Sequence, residues 1–120
     1  MKKINLQEKF SLFEDHWSPK IIGEMNEQLV KIAKVKGEFV WHDHANEDEL
    51  FLIIKGSLRL EFKHKEAVVL NEGEILIVPR GVEHKPIADE EVWLMLFEPN
   101  STKHTGNIKT KLTQNKQERI

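Results

Sequence analysis

Between residues 37 and 90 the chain meets a chain-reversing signal every few residues. Gly37, Gly56 and the segments 45–48 (Ala-Asn-Glu-Asp), 63–66 (Lys-His-Lys-Glu), 71–73 (Asn-Glu-Gly), 79–81 (Pro-Arg-Gly) and 88–90 (Ala-Asp-Glu) punctuate it. Such residues favour turns because they tolerate positive φ, fix φ, or bond their own backbone. What lies between them is short and rich in β-branched and aromatic side chains. A strand can be made from four to eight residues, whereas a helix usually needs ten or more. The pattern therefore predicts an all-β sandwich or barrel. Leu58, Leu60 and Phe62 alternate with Arg59 and Glu61, the signature of a half-buried strand.

Two runs break the alternation. Residues 50–54 (Leu-Phe-Leu-Ile-Ile) and 92–97 (Val-Trp-Leu-Met-Leu-Phe) are apolar on both faces. A strand of that kind must be covered on both sides. The barrel interior is one cover, and the N-terminal segment or a second copy of the chain is the other. Upstream, Leu6, Phe10 and Phe13 follow Asn5 at i, i+4 and i+7, which predicts a short capped helix ended by Trp17-Ser18-Pro19. Beyond Pro19, Ile21-Ile22, a turn at Asn26-Glu27 and the run 28–36 with Leu29, Ile32 and Val35 read as strands. Trp93, Met95 and Phe97 share one strand face and are expected in core or interface packing. Trp41 is expected under the N-terminal segment or at a subunit contact. Apolar strands left open would invite aggregation, so a homodimer is expected.

At 120 residues the chain has the size of one domain. Residues 1–102 are read as that domain and 103–120 as a polar arm. The arm carries five basic residues and one acidic, the remainder 13 basic and 19 acidic, so a tail of net +4 follows a body of net −6. The arm is read as solvated. The net charge of −2 gives no field suited to nucleic acid. The absence of cysteine excludes disulfide scaffolds, thiolate metal sites, iron–sulfur clusters and cysteine nucleophiles. No signal-peptide pattern follows the initial Met-Lys-Lys and no apolar run is long enough for a transmembrane helix, so a cytoplasmic location without membrane partners is expected.

Chemistry concentrates in two stretches. In the first, Gly37 to Glu49, His42 and His44 are two apart, so on a strand they point to one side. Two such imidazoles can take adjacent positions on one metal ion. Glu49 follows a four-residue polar loop and, if the loop reverses the chain, faces the same point, with Phe51 and Ile53 on its face. Glu38 shares the parity of His42 and is expected to point inward. The second stretch, Gly73 to His84, reads as a strand 75–78, a Pro79-x-Gly81 turn and a histidine opening the next strand. His16 and His64 lie in polar segments and read as surface residues. His104 belongs to the arm, and Arg80 reads as a solvated turn residue near the barrel rim.

Together the two stretches resemble the cupin superfamily. Its first motif places His-x-His, a short gap, Glu, six residues and Gly as His42, His44, Glu49 and Gly56 stand here. Its second matches Gly73, Pro79, Gly81 and His84. The resemblance spans about residues 28–98, with motifs at 37–56 and 73–88. Two departures stand out: Gly37 lies one residue closer to His42 than is usual, and Ala88 occupies the place of a frequent asparagine. The chain looks most like small single-domain cupins described as mannose-6-phosphate isomerase-like.

The resemblance implies a double-stranded β-helix barrel around one divalent transition metal ion held by His42, His44, Glu49 and His84. Such a mixed N/O donor set suits Fe, Mn, Ni, Co, Cu or Zn without separating them. It would leave two positions of an octahedral ion open to a small molecule. Three function classes follow. One is a metal-dependent enzyme, either a sugar or sugar-phosphate isomerase or epimerase, or an oxygenase. The second is a non-catalytic metal-dependent binding or sensing module for small molecules, and the third a structural dimer. The residues single out no catalytic acid or base.

Overall fold

Asn5 starts the chain's first ordered element by accepting a hydrogen bond from the Glu8 backbone N–H at 2.9 Å. The helix it caps, α1 (Leu6–Phe10), is shorter than the Leu6/Phe10/Phe13 spacing suggests. Ser11 closes it, and Phe13 reaches the same cluster from outside the helix, its ring 6.0 Å from that of Phe10. The computed structural model describes residues 1–100 and 117–120. Seven strands follow: β1 (Lys20–Met25), β2 (Gln28–Glu38), β3 (Glu49–Lys55), β4 (Leu58–Phe62), β5 (Lys65–Leu70), β6 (Ile75–Val78) and β7 (His84–Pro99). The mostly antiparallel fold with one short helix agrees with the all-β barrel read from the turn spacing.

β7 organises the molecule. From Ile87 to Pro99 it pairs with β2, with a break at 89–91; its first part (His84 to Ile87) pairs with β4, and a later part (Trp93 to Phe97) with β3. β3 carries β6 on its far edge and β4 carries β5, so the two halves of β7 belong to two different walls of one barrel. The change of wall occurs at 89–91, where the register with β2 slips between Val35 and Gly37. Gly56 sits against this bend at φ +92°, where a Cβ would lie 3.0 Å from the Glu91 carbonyl oxygen. Inward-facing Ala33, Val35, Phe51, Ile53, Leu58, Leu60, Leu94 and Leu96 fill the space between the walls.

The outer face of β7 gets its cover from the N-terminal segment. Phe10 is fully buried and stacks on Trp93 at 4.7 Å, joining Phe13, Ile22 and Ile32 in a second cluster. That cover stops short of β6. Leu50, Leu52 and Phe97 stay half-buried, and Ile75 and Ile77 are 56% and 55% exposed.

Three expectations need correction. Glu38 does not point inward: its side chain is exposed and meets Lys85 at 3.5 Å. Phe39 keeps the inward parity of Ala33 and Val35, and the parity changes only beyond the end of β2 at Glu38, before His42. Trp41 packs beneath the Lys63 ammonium group, 5.2 Å from its ring centroid, and the indole under the N-terminal segment is that of Trp93. The solvated arm fails at its end. Ile21 N–H donates to Glu118 C=O at 2.7 Å and Ile120 N–H to Ile21 C=O at 3.0 Å, laying residues 118–120 beside β1. Glu118 also reaches the buried Lys20 ammonium at 2.9 Å, and Ile120 joins the Phe10 cluster. The expectation for the rest of the arm, His104 included, lies outside the described residues.

Candidate metal centre

The loop between β2 and β3 and the turn before β7 are tied together by backbone hydrogen bonds. His42 and His84 form an antiparallel bridge, His42 N–H to His84 C=O at 3.1 Å and His84 N–H to His42 C=O at 2.9 Å. Gly81, at φ +76°, turns its N–H to the His44 carbonyl at 2.8 Å. Arg80 donates its backbone N–H to Asp48 Oδ1 at 2.9 Å and sets its guanidinium against the same carboxylate, pinning the residue before Glu49. β3 then begins at Glu49, opposite Val78 of β6. Residues distant in sequence are thus brought to one end of the barrel by main-chain geometry.

All four residues of the expected set are brought together there. His42, His44, Glu49 and His84 are buried, and one donor atom from each lies within 4.8 Å of the other three. Donors at about 2.0–2.2 Å from one ion are at most about 4.4 Å apart, so the cluster needs to contract by only a few tenths of an ångström. The Glu49 carboxylate sits 3.5 Å from His44 Nε2 and 3.6 Å from His84 Nε2.

The hydrogen bonding fits a cation. His42 Nδ1 lies 2.9 Å from Val40 C=O and His84 Nδ1 2.9 Å from Val82 C=O. A carbonyl only accepts, so each Nδ1 carries the proton and each Nε2 presents a lone pair, the arrangement that orients metal-binding imidazoles. His84 Nε2 and both His44 nitrogens are buried without a hydrogen-bond partner among the described residues. Buried polar atoms are ordinarily satisfied, and a metal ion would satisfy these.

The charges agree. Burial, reinforced by His84, pushes the His42 imidazole down to about 4, so it is neutral at pH 7. Burial opposes charge on His44 too, but Glu49 outweighs it, with help from Glu47 and Asp43, and holds the imidazole above its usual value. Burial would raise Glu49, yet the facing Glu98 carboxyl, itself held well above the usual carboxylate range, and the nearby His44 and His84 imidazoles keep Glu49 well below it. The site thus holds an anion that favours positive charge beside it.

A cavity of about 40 Å³ opens beside His42 and Glu49. That is room for two or three waters, or for part of a small ligand. Its other walls are apolar: Trp17, Phe39 and Phe51, with Val35, Leu94 and Leu96 deeper. Trp17 adopts φ +57°, donates its indole N–H to Lys36 C=O at 2.9 Å and stacks on Phe39 at 4.5 Å. Phe51 lines the cavity as its parity suggests, whereas Ile53 lies in the core.

Sequence reasoning missed Trp17, Phe39, Lys31 and Glu98. Trp17 was obscured by the bend at 17–19, and Phe39 by its place just past the end of β2. The last two carry a usable signal, a charge on the inward face of an otherwise apolar strand. His64 is exposed; His16 is exposed and pairs with Glu91 at 2.7 Å. Ala88, in the place of the frequent asparagine, is fully buried in the core.

A double-walled antiparallel barrel with three imidazoles and a carboxylate converging at one end defines a class of metal-site proteins. The chain belongs to the cupin domain family, whose model matches residues 28–105. A cupin-2 domain containing protein from Shewanella frigidimarina is 49% identical, with a TM-score of 0.79 over 81% of this chain and 94% of that one. The uncharacterized protein YdbB of Bacillus subtilis is 41% identical over 64 residues, 53% of this chain and 57% of its own length. The chain thus spans little more than half of that curated relative. The hydroquinone 1,2-dioxygenase from Sphingomonas sp. TTNP3 is 19% identical with a TM-score of 0.75, over 83% of this chain and 33% of that one, a likeness of fold.

Proposed function

We propose that this cupin is a metal-dependent oxygenase acting on a small, largely apolar molecule that brings an oxygen donor to the metal. His42, His44, Glu49 and His84 are the proposed ligands of one divalent transition metal. The observation that carries the reading is the cavity wall: beside His42 and Glu49 it is built from Trp17, Phe39, Phe51 and aliphatic side chains. Among the described residues lining it there is no cation to receive a phosphate and no ionisable group outside the metal set to act as a base. That lining argues against the sugar-phosphate isomerase expected from the mannose-6-phosphate isomerase-like resemblance, because an isomerase needs a positioned proton acceptor. A bound redox metal would supply open coordination positions and one-electron chemistry. His42 and His84 aim their Nε2 lone pairs, and the stacked Trp17–Phe39 pair excludes water and presents a flat apolar face. A hydroquinone 1,2-dioxygenase of this fold has been crystallised with Fe3+, which accords with the reading.

The test is oxygen uptake by Fe2+-loaded protein across a panel of small phenols and carboxylic acids. Uptake that needs both Fe2+ and one probe class, and is lost in His84→Ala, supports an oxygenase. Saturable quenching of tryptophan fluorescence by a probe without oxygen uptake would replace it with the binding-module reading. The same proposal includes a homodimer, formed through the Leu50, Leu52, Ile75, Ile77 and Phe97 face that the N-terminal segment leaves uncovered.

A further inference from the structure

Two ionisable side chains are sealed inside the barrel where hydrocarbon would be expected. Lys31 of β2 is 1% exposed and Glu98 of β7 is 0% exposed, and Lys31 Nζ donates to Glu98 Oε1 at 2.8 Å. Lys31 shares its strand face with Ala33 and Val35, and Glu98 with Leu94 and Leu96, the faces that line the cavity. A buried ion pair is often no more stabilising than well-packed apolar residues of the same volume. Stability alone therefore does not account for this one. Glu98 has one oxygen committed to Lys31, while its Oε2 is buried with no partner of ordinary hydrogen-bond geometry among the described residues. In the antiparallel ladder that pairs Leu50 with Phe97, the next position sets buried Glu98 opposite buried Glu49, and the two carboxyl groups interact.

We propose that Glu98, anchored by Lys31, is a positioning residue for the metal centre: it fixes the Glu49 carboxylate so that one oxygen is presented between His44 and His84. The chain is short and wholly buried, from Lys31 Nζ to Glu98 Oε1, from Glu98 to Glu49 opposite it across the β3–β7 ladder, and from Glu49 Oε1 to both imidazoles. Groups that orient metal ligands from behind typically change metal affinity 10–100-fold when removed. The inference rests on the metal-centre reading, and the experiment separates the two.

Co2+ is titrated into wild type, Glu98→Leu, Glu98→Gln and Lys31→Met, following both affinity and the visible absorption bands of the bound ion. Wild type that binds no Co2+ sinks the metal-centre reading itself. With wild type binding, Glu98→Leu should bind about 10–100-fold more weakly and with shifted bands. Glu98→Gln should stay within about threefold of wild type with the wild-type spectrum, because its amide oxygen can accept from Lys31 while its N–H donates to Glu49. Lys31→Met should weaken binding and shift the bands in the direction of Glu98→Leu. If Glu98→Leu fails to fold, the Gln and Met variants decide alone. Wild-type affinity and spectrum in Glu98→Leu or in Lys31→Met would overturn the proposal. So would a loss in Glu98→Gln as large as that in Glu98→Leu, since a charge rather than a positioning contact would then be at work.

Discussion

His44 differs from its two neighbours because neither of its ring nitrogens has a hydrogen-bond partner among the described residues. Glu49, 3.5 Å from His44 Nε2, favours the charged form of the ring and raises it above the usual imidazole value. A metal and a proton compete for the same nitrogen, so binding and protonation compete. His42, pushed down to about 4, offers no such competition near neutrality. The sign follows: affinity should be full at alkaline pH and begin to fall above 6.5, the ordinary histidine value, as the pH is lowered. Mn2+ affinity measured from pH 8.5 to 5.5 checks this, and an affinity flat from pH 8 to 6 would contradict it. The four clustered side chains were legible in the sequence because spacing alone puts His42 and His44 on one side, and the cupin motifs add Glu49 and His84. Glu38 was misread because its parity with His42 assumed an unbroken strand, and β2 ends at Glu38, before His42. Lys31 and Glu98 went unread because a charge on an apolar strand face names its burial only once its opposite partner is known.

β7 shows why strands apolar on both faces can be recognised but not fully placed. Val92, Leu94 and Leu96 turn into the barrel while Trp93 and Met95 meet the N-terminal cluster, so both faces find cover along most of the strand. That β7 serves two walls, with its change of partner at 89–91, depends on long-range pairing that no local pattern carries. Phe10 is the centre of the outer cover, fully buried and stacked on Trp93. Phe10→Ala should cost about 3–5 kcal/mol in urea unfolding, the usual range for a large buried aromatic. A loss under about 1 kcal/mol would mean that α1 is not part of the stable fold. The chain end was misread because its composition is polar, yet two main-chain hydrogen bonds and the Lys20–Glu118 contact hold it. Removing residues 117–120 should lower stability by roughly 1–3 kcal/mol, two ordinary hydrogen bonds' worth. Unchanged unfolding would show that the end does not rest on β1 in solution.

For the whole molecule, barrel and site form one object, since the main-chain bridges that close one end of the barrel also gather the site. Its exterior is uneven. No helix among the described residues is long and apolar enough to cross a membrane, while Ile75 and Ile77 leave an apolar rim beside Leu50, Leu52 and Phe97. With the proposed homodimer covering this face, light scattering should give twice the chain mass of 14.1 kDa. Ile77→Lys should shift the protein to monomer while keeping its barrel, because a charge at the centre of an apolar contact is strongly disfavoured. A wild-type monomer at high concentration would contradict the dimer. The barrel class was readable from turn spacing, whereas the uncovered face depends on how far five residues of helix reach.

The central claim is that one metal ion occupies the His42, His44, Glu49 and His84 cluster. Its most direct test is elemental analysis of protein purified without a metal-affinity tag, comparing wild type with His84→Ala and with His64→Ala, whose side chain is exposed. The expected result is about one transition-metal ion per wild-type and per His64→Ala chain, and little or none in folded His84→Ala. Full metal retained in His84→Ala, or metal lost from His64→Ala, would place the ion elsewhere and contradict the account.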